Sequence, residues 1–128
     1  MKNKYIVIIL LGFFYFGSCS VSKDKNEAEQ YRFYQKGESS WYGPGFNGKK
    51  TASGEKFDMN KMTAAHRKLP FGTKVRVTNL KNNKSVIVRI NDRGPYKKSR
   101  IIDLSKKAAE QIGLVKYGVA PVKIEIVK

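Results

Sequence analysis

Cysteine is nearly absent from this chain: Cys19 stands alone, so no intrachain disulfide can form. Histidine and tryptophan are as scarce, one of each, at His66 and Trp41. Acidic residues are few, 10 against 26 Lys and Arg, and the formal charge of +16 draws polyanions: nucleic acid, anionic headgroups or acidic wall polymers. No apolar run is long enough to span a bilayer comfortably as a helix; the one near the start, Tyr5 to Phe16, is broken only by Gly12. There is no internal repeat and no low-complexity tract. A length of 128 residues allows one domain and a short extension.

The first residues choose among the polyanions. Lys2 and Lys4, the short apolar run, and then Gly17, Ser18 and Cys19 have the layout of a secretory signal peptide over residues 1–18. The small residues directly before the single cysteine resemble a bacterial lipobox, which would make Cys19 the lipidated first residue of the mature protein and its membrane anchor. Removing residues 1–18 takes away Lys2 and Lys4, leaving 24 positive against 10 negative residues, so the exported body is the basic part. Export argues against a nucleic-acid partner, and no nucleic-acid-binding signature is present. The expected location is the bacterial cell envelope, outside the cytoplasm, with acidic envelope polymers as the better partner. No obligate protein partner is evident.

Residues 19–36 are polar, with no Val, Ile or Leu after Val21, and read as a tether. The globular domain is expected over residues 37–128. A first strand, Glu38 to Tyr42, leads into Gly43, Pro44, Gly45, Phe46, Asn47 and Gly48, too rich in Gly and Pro for regular structure. Met62 to Arg67 is expected as one helical turn carrying His66, ended by Pro70. Val75 and Val77 alternate with polar residues in one strand, and Val86, Val88 and Ile90 with Ser85, Ile87 and Arg89 in the next. That second strand runs into Asn91, Asp92, Arg93, Gly94, Pro95, Tyr96, where Gly and Pro stop ladder pairing and leave Asp92 at a strand end, aimed into a groove. Ser105 is a good N-cap for a helix over 106–112, with Gly113 behind it, and Val122, Ile124 and Ile126 alternate in a last strand. Five or six short strands and one or two short helices favour a small β-barrel.

With these pieces placed, the chain resembles the rare lipoprotein A (RlpA) family. The matching stretches are Gly37 to Gly43, Thr51 to Glu55, Met62 to His66, Leu69 to Thr73, Val75 to Leu80, Asn91 to Tyr96 and Arg100 to Ser105. The resemblance implies a mainly β fold, a six-stranded double-psi β-barrel shared with expansins. It also implies an endolytic peptidoglycan transglycosylase that prefers glycan strands stripped of stem peptides. The family's catalytic Asp falls on Asp92, its essential His on His66 and a supporting acid on Glu55. Many relatives carry a further glycan-binding SPOR domain; no match to it is expected within these 128 residues, so recruitment to the septal wall is not implied. No metal and no cofactor are expected.

A single carboxylate suffices for such a reaction because the attacking C6 hydroxyl lies on the same muramyl sugar as the bond that breaks. Asp92 would protonate the glycosidic oxygen and then accept the C6 proton, with His66 orienting it or sharing the proton traffic in the same groove. Arg89 and Arg93 work against this, since positive neighbours lower an Asp pKa; alternation turns Arg89 away, and burial or Glu55 would have to offset Arg93. Trp41, Tyr42, Arg93, Tyr96 and Asp103 are the candidate substrate-binding residues. Asp103 is otherwise a helix-start residue, and Trp41 otherwise core. The alternative function is a non-catalytic, expansin-like wall-glycan binder; a third is a lipoprotein docking Lys97, Lys98, Arg100, Lys106 and Lys107 on anionic lipid.

Overall fold

The structure is a computed structural model that describes residues 29–128. The expected signal peptide, the lipidation site Cys19 and most of the tether lie outside the described residues. The described residues fall into two units, one of Phe33–Val127 and one that includes residues 29–32 and Lys128. Of the second, the described part is short: residues 29 and 30 are helical, and the Gln30 carbonyl accepts from the Lys128 amide at 2.9 Å.

Six strands close into a barrel: β1 (Tyr31–Trp41), β2 (Thr63–Ala65), β3 (Lys74–Asn79), β4 (Ser85–Asp92), β5 (Arg100–Leu104) and β6 (Ala120–Val127), in the spatial order β1-β5-β2-β4-β3-β6. Two short helices, α1 (Lys106–Gln111) and α2 (Leu114–Tyr117), lie between β5 and β6. The mainly β barrel with one or two helices is thus what the chain forms. β1 starts at Tyr31, ahead of the expected domain edge at Gly37, so residues 31–36 are strand and not tether. Met62 to Arg67 is not a helical turn: Thr63–Ala65 is a strand, drawn into the barrel by pairing with β4 on one side and β5 on the other. Local pattern could not show this, because three buried residues in a row have no period to read.

Alternation explains the interior. In β3, Val75 and Val77 are fully buried while Lys74 and Arg76 are not; in β4, Val88 and Ile90 point in, and in β6, Val122 and Ile124 do. Ile102 and Leu104 from β5 and Ala108, Ala109, Ile112 and Leu114 from the helices complete the same core. Closure removes the open edges that short strands would otherwise expose.

Two departures from regular pairing matter for the site. Along β2, Ala64 pairs with Ile90 and Ala65 with Asp92, so Asn91 is an extra residue and the register slips at it. Along β1, Glu38 pairs with Arg100 and Ser39 with Ile102, so Ile101 is extra in β5. Past each slip stands a carboxylate, Asp92 on β4 and Asp103 on β5, and both pair with the same residue, Ala65. Plain alternation after Val88 and Ile90 would send Asp92 into the apolar interior; the extra Asn91 re-aims it.

The helix after β5 begins as its sequence demands. Ser105, fully buried, accepts a hydrogen bond from the Ala108 amide at 3.2 Å, and Gly113 behind the helix has φ 68, a left-handed conformation that glycine adopts at little cost. Ser105→Ala should lower stability by about 1 kcal/mol, seen as a lower urea midpoint at unchanged m-value.

Candidate active site

Asp92 ends β4 with both carboxylate oxygens engaged. Tyr42 donates its hydroxyl to Oδ2 at 2.6 Å, and the amides of Ala52 and Arg93 donate to Oδ1 at 2.8 and 2.9 Å. A carboxylate oxygen offers about two acceptor positions, so Oδ1 is filled and Oδ2 keeps one. Burial, and next the hydrogen bond to Asp92, push the Tyr42 pKa well above its ordinary value, so Tyr42 stays a phenol and a donor. Its ring is stacked on Phe57 at 4.4 Å, with Phe46 edge-on at 5.5 Å, which fixes the direction of the hydroxyl.

The amide of Ala52 comes from a loop tied down at several points. The Thr51 amide and hydroxyl both donate to the Glu55 carbonyl at 2.8 Å, the Gly54 amide returns to the Thr51 carbonyl, and the Ser53 amide donates to the Asn91 carbonyl. The Glu55 carboxylate then takes two bonds from Arg89, at 3.0 and 2.8 Å, and one from the Asn91 side chain at 2.8 Å. Hydrogen bonding to Arg89 first, and to Asn91 second, lowers the Glu55 pKa to about 2, so near neutral pH it is permanently charged. Glu55 does not line the groove beside Asp92. It clamps the loop, and the extra residue Asn91, to β4.

The groove has a volume of about 770 Å³. Asp92 and Asp103 both line it, and Ser40 donates its hydroxyl to Asp103. Its apolar surface comes from Trp41, Tyr42, Phe46 and Tyr96. Trp41 is half-buried, packing on the core while bordering the groove; Tyr96 is 91 % exposed. Arg93 borders the groove, but its guanidinium donates to the carbonyls of His66 and Leu69, at 3.1 and 2.8 Å, and lies 4.0 Å from the centre of the Phe71 ring.

His66 does not share the groove. Its amide donates to the Asp92 carbonyl at 3.1 Å, so the two backbones are neighbours, but the side chain follows the extended segment after Ala65 and projects elsewhere. The imidazole is 3 % exposed; Nδ1 accepts from the amides of Lys68 and Leu69 at 3.0 and 3.1 Å. The ring proton is therefore on Nε2, which donates to the Gln35 side-chain oxygen at 3.0 Å. Burial first, then Arg67, Arg93 and Lys68, lower its pKa to about 4, so the ring is neutral near pH 7. It borders a second cavity of about 480 Å³ with Tyr34, Gln35, Arg67 and Lys68. The expectation that imidazole and carboxylate converge on one groove is corrected here: of Asp92, Glu55 and His66, only Asp92 reaches it.

Sequence reasoning missed the Ala52 amide, the Ser40 hydroxyl, and the cations that line the groove, Lys49, Lys50, Lys97 and Arg100. Lys97 and Arg100 stood out as part of a charged segment; nothing local marked Ala52 or Ser40. No group of three or more His, Cys, Asp or Glu side chains among the described residues is placed to hold a metal ion.

Residues 34–124 match the family described as "Lytic transglycolase". Among curated proteins, the chain is 60 % identical over 92 residues to the "Probable endolytic peptidoglycan transglycosylase RlpA" of Synechocystis sp., covering 72 % of this chain and 29 % of that protein. It is 57 % identical over 101 residues to the "Endolytic peptidoglycan transglycosylase RlpA" of Neisseria meningitidis serogroup A, covering 79 % and 41 %. The chain thus spans less than half the length of these relatives. Among solved structures, the Streptomyces papain inhibitor aligns with a TM-score of 0.59 at 22 % identity, over 75 % of this chain and 97 % of that one. An expansin from Clavibacter michiganensis aligns with the same score at 20 % identity, over 73 % and 50 %; both likenesses concern the fold. On the strength of the matched barrel, the chain belongs to the lytic transglycolase family and is of the RlpA type.

Proposed function

We propose that the chain is an endolytic lytic transglycosylase of peptidoglycan, acting in the cell envelope outside the cytoplasm on glycan strands freed of stem peptides. A lipid at Cys19 is its membrane anchor in this reading. The observation that carries it is the setting of Asp92, a carboxylate fixed by three donors at an open groove with one position of Oδ2 left for substrate.

The reaction needs a proton on the glycosidic oxygen as the C1–O bond breaks, and a nucleophile at C1. The muramyl C6 hydroxyl is tethered to the same ring, so its attack gains from high effective molarity and no water is consumed. Asp92 gives its proton through Oδ2 to the leaving oxygen, then takes the C6 hydroxyl proton as the C6–O–C1 bond closes into a 1,6-anhydro ring. It ends as it began. In between it is an anion, and the Tyr42 hydroxyl and the Ala52 and Arg93 amides hold that charge without having to reorganise. Trp41 and Tyr96 offer faces for sugar rings.

A second division of labour is favoured by the presence of another carboxylate in the same groove. Asp103 is the other carboxylate in the groove, with Ser40 as the hydrogen-bond partner of its side chain. In that version Asp103 gives the proton and Asp92 receives it, as in two-carboxylate glycosidases.

Glu55 and His66 are positioning residues here: Glu55 holds the Ala52 loop, and the neutral imidazole shapes the turn whose first amide bonds the Asp92 carbonyl. Asp92→Asn should cut release of anhydro-ended fragments from stripped glycan by roughly 10²–10⁴-fold, with the fold intact by circular dichroism; activity equal to the parent would remove Asp92 from the chemistry. Asp103→Asn separates the two versions, staying active if Asp92 does both jobs and falling as far as Asp92→Asn if they share. Glu55→Gln should lower kcat by up to about 100-fold through misplacement of Asp92, with KM changed less.

Acid sensitivity follows from His66. Unfolded chains protonate histidine near 6.5, the folded chain only near 4, so between these values the unfolded state holds more protons and stability rises with pH. The full contribution is present above pH 6.5 and is lost as pH falls toward 4; Glu55 adds a further loss between 4.5 and 2. Urea midpoints measured across this range should decline accordingly, and His66→Gln should flatten the upper part alone. An unchanged slope in that variant would contradict the neutral buried imidazole.

A further inference from the structure

Five side-chain cations line the groove; Arg93 is held by the His66 and Leu69 carbonyls, and no described carboxylate pairs with the other four, Lys49, Lys50, Lys97 and Arg100. The ion-paired acids among the described residues are elsewhere, Glu55 with Arg89 and Glu125 with Arg76 and Lys123. The two acids inside the groove do not neutralise these cations either: the hydrogen bonds of Asp92 come from the Tyr42 hydroxyl and two amides, that of Asp103 from the Ser40 hydroxyl. Lys49 lies 5.5 Å from the centre of the Phe46 ring, a contact that leaves its charge unmatched. Arg100 stands out. It is half-buried, and its Nε is inaccessible with no hydrogen-bond partner among the described residues. No described residue accepts a hydrogen bond from this guanidinium, so its donors are not tied up within the protein beside the groove.

We propose that Arg100, with Lys97 beside it in sequence and Lys50 from the loop ahead of Ala52, forms a carboxylate-recognition subsite that reads the lactyl carboxylate of a muramyl residue. The inference rests on the peptidoglycan reading of the groove and names what selects the substrate within it. Along the glycan, the only anion the sugars themselves present is the lactyl group on the muramyl C3 oxygen. While a stem peptide is attached, that carboxyl is consumed in an amide bond and is neutral. Hydrolysis of the amide frees it, so a row of cations beside the acid distinguishes a stripped strand from a peptide-bearing one by charge. The reaction that supplies the substrate is therefore an amide hydrolysis between lactyl group and peptide. A planar guanidinium suits a carboxylate in two-point contact, and the lysines add charge at longer reach.

The test compares stripped glycan strands with the same strands after their lactyl carboxyls are capped as methylamides. Binding is measured by calorimetry with the exported chain carrying Asp92→Asn, so that no strand is cut. Native strands should bind at least tenfold tighter than capped ones, and raising salt should weaken binding of native strands and leave capped strands little changed. Arg100→Gln and Lys97→Gln should each reduce affinity for native strands and leave affinity for capped strands as in the parent. Equal binding of native and capped strands, no binding of either, or an equal loss on both in the variants overturns the subsite. Should Arg100→Gln fail to fold, the exposed Lys97→Gln and the capping and salt comparisons decide alone. Cleavage of native strands by the chain with Asp92 intact, run in parallel, tests the lytic reading separately: absent anhydro ends sink that reading, while the binding difference still stands or falls by itself.

Discussion

The hydrogen bonds onto Asp92 are what the groove's geometry depends on, because they fix the direction in which its carboxylate faces the open space. Three elements supply those bonds. Tyr42 comes from the end of β1, the Ala52 amide from the loop before β2, and the Arg93 amide from the turn that Asp92 itself begins. None would help if β4 kept its alternation, since Asp92 would then follow Val88 and Ile90 into the core. The extra residue Asn91 prevents that, and it is buried and costly unless its amide finds an acceptor. Glu55 is that acceptor, and by also gripping Arg89 it fastens the Ala52 loop over the slip. One permanently charged acid thus fixes the geometry around another.

Much of the barrel could be read from the chain. Val75, Val77, Val88, Ile90, Val122 and Ile124 are where period-two patterns put them, and Ser105 and Gly113 bound their helix through local hydrogen-bonding and backbone preference. What escaped was non-local. Thr63–Ala65 is a strand because β4 and β5 both pair with it, and nothing within three residues announces a partner. The slips at Asn91 and Ile101 depend on which residues happen to face them on another strand. Asp92 was visible as an acid at a strand end; that Tyr42 would lie within 2.6 Å of it needed the closed barrel.

His66 shows the same limit from the other side. One histidine in a basic chain invites a catalytic reading, and its backbone is indeed bonded to Asp92. The direction of the ring was decided by two amides, of Lys68 and Leu69, that had no other acceptor in a tight turn. A nitrogen receiving two N–H groups cannot also be protonated, and three cations nearby, Arg67, Arg93 and Lys68, oppose a second proton on the ring. The imidazole is a fixed acceptor, useful because it stays neutral, and its loss would be felt at Asp92 through the chain.

In a strongly basic protein, a carboxylate in a groove is exposed to capture by the arginines near it in sequence. Where the arginines point prevents it. Arg89 is turned to Glu55, and Arg93 to the carbonyls of His66 and Leu69 and the face of Phe71, so neither donates its side chain to Asp92. The donors that do reach Asp92 are a phenol and two amides, all neutral, and they steer the carboxylate without contributing a full opposing charge. Lys49, Lys50, Lys97 and Arg100, without a carboxylate partner among the described residues, line the same groove without bonding its acids. Neutral donors hold the carboxylate while the lysines and Arg100 stay clear of it, and that division lets a chain with 26 basic residues keep an acid in its groove that no cation grips.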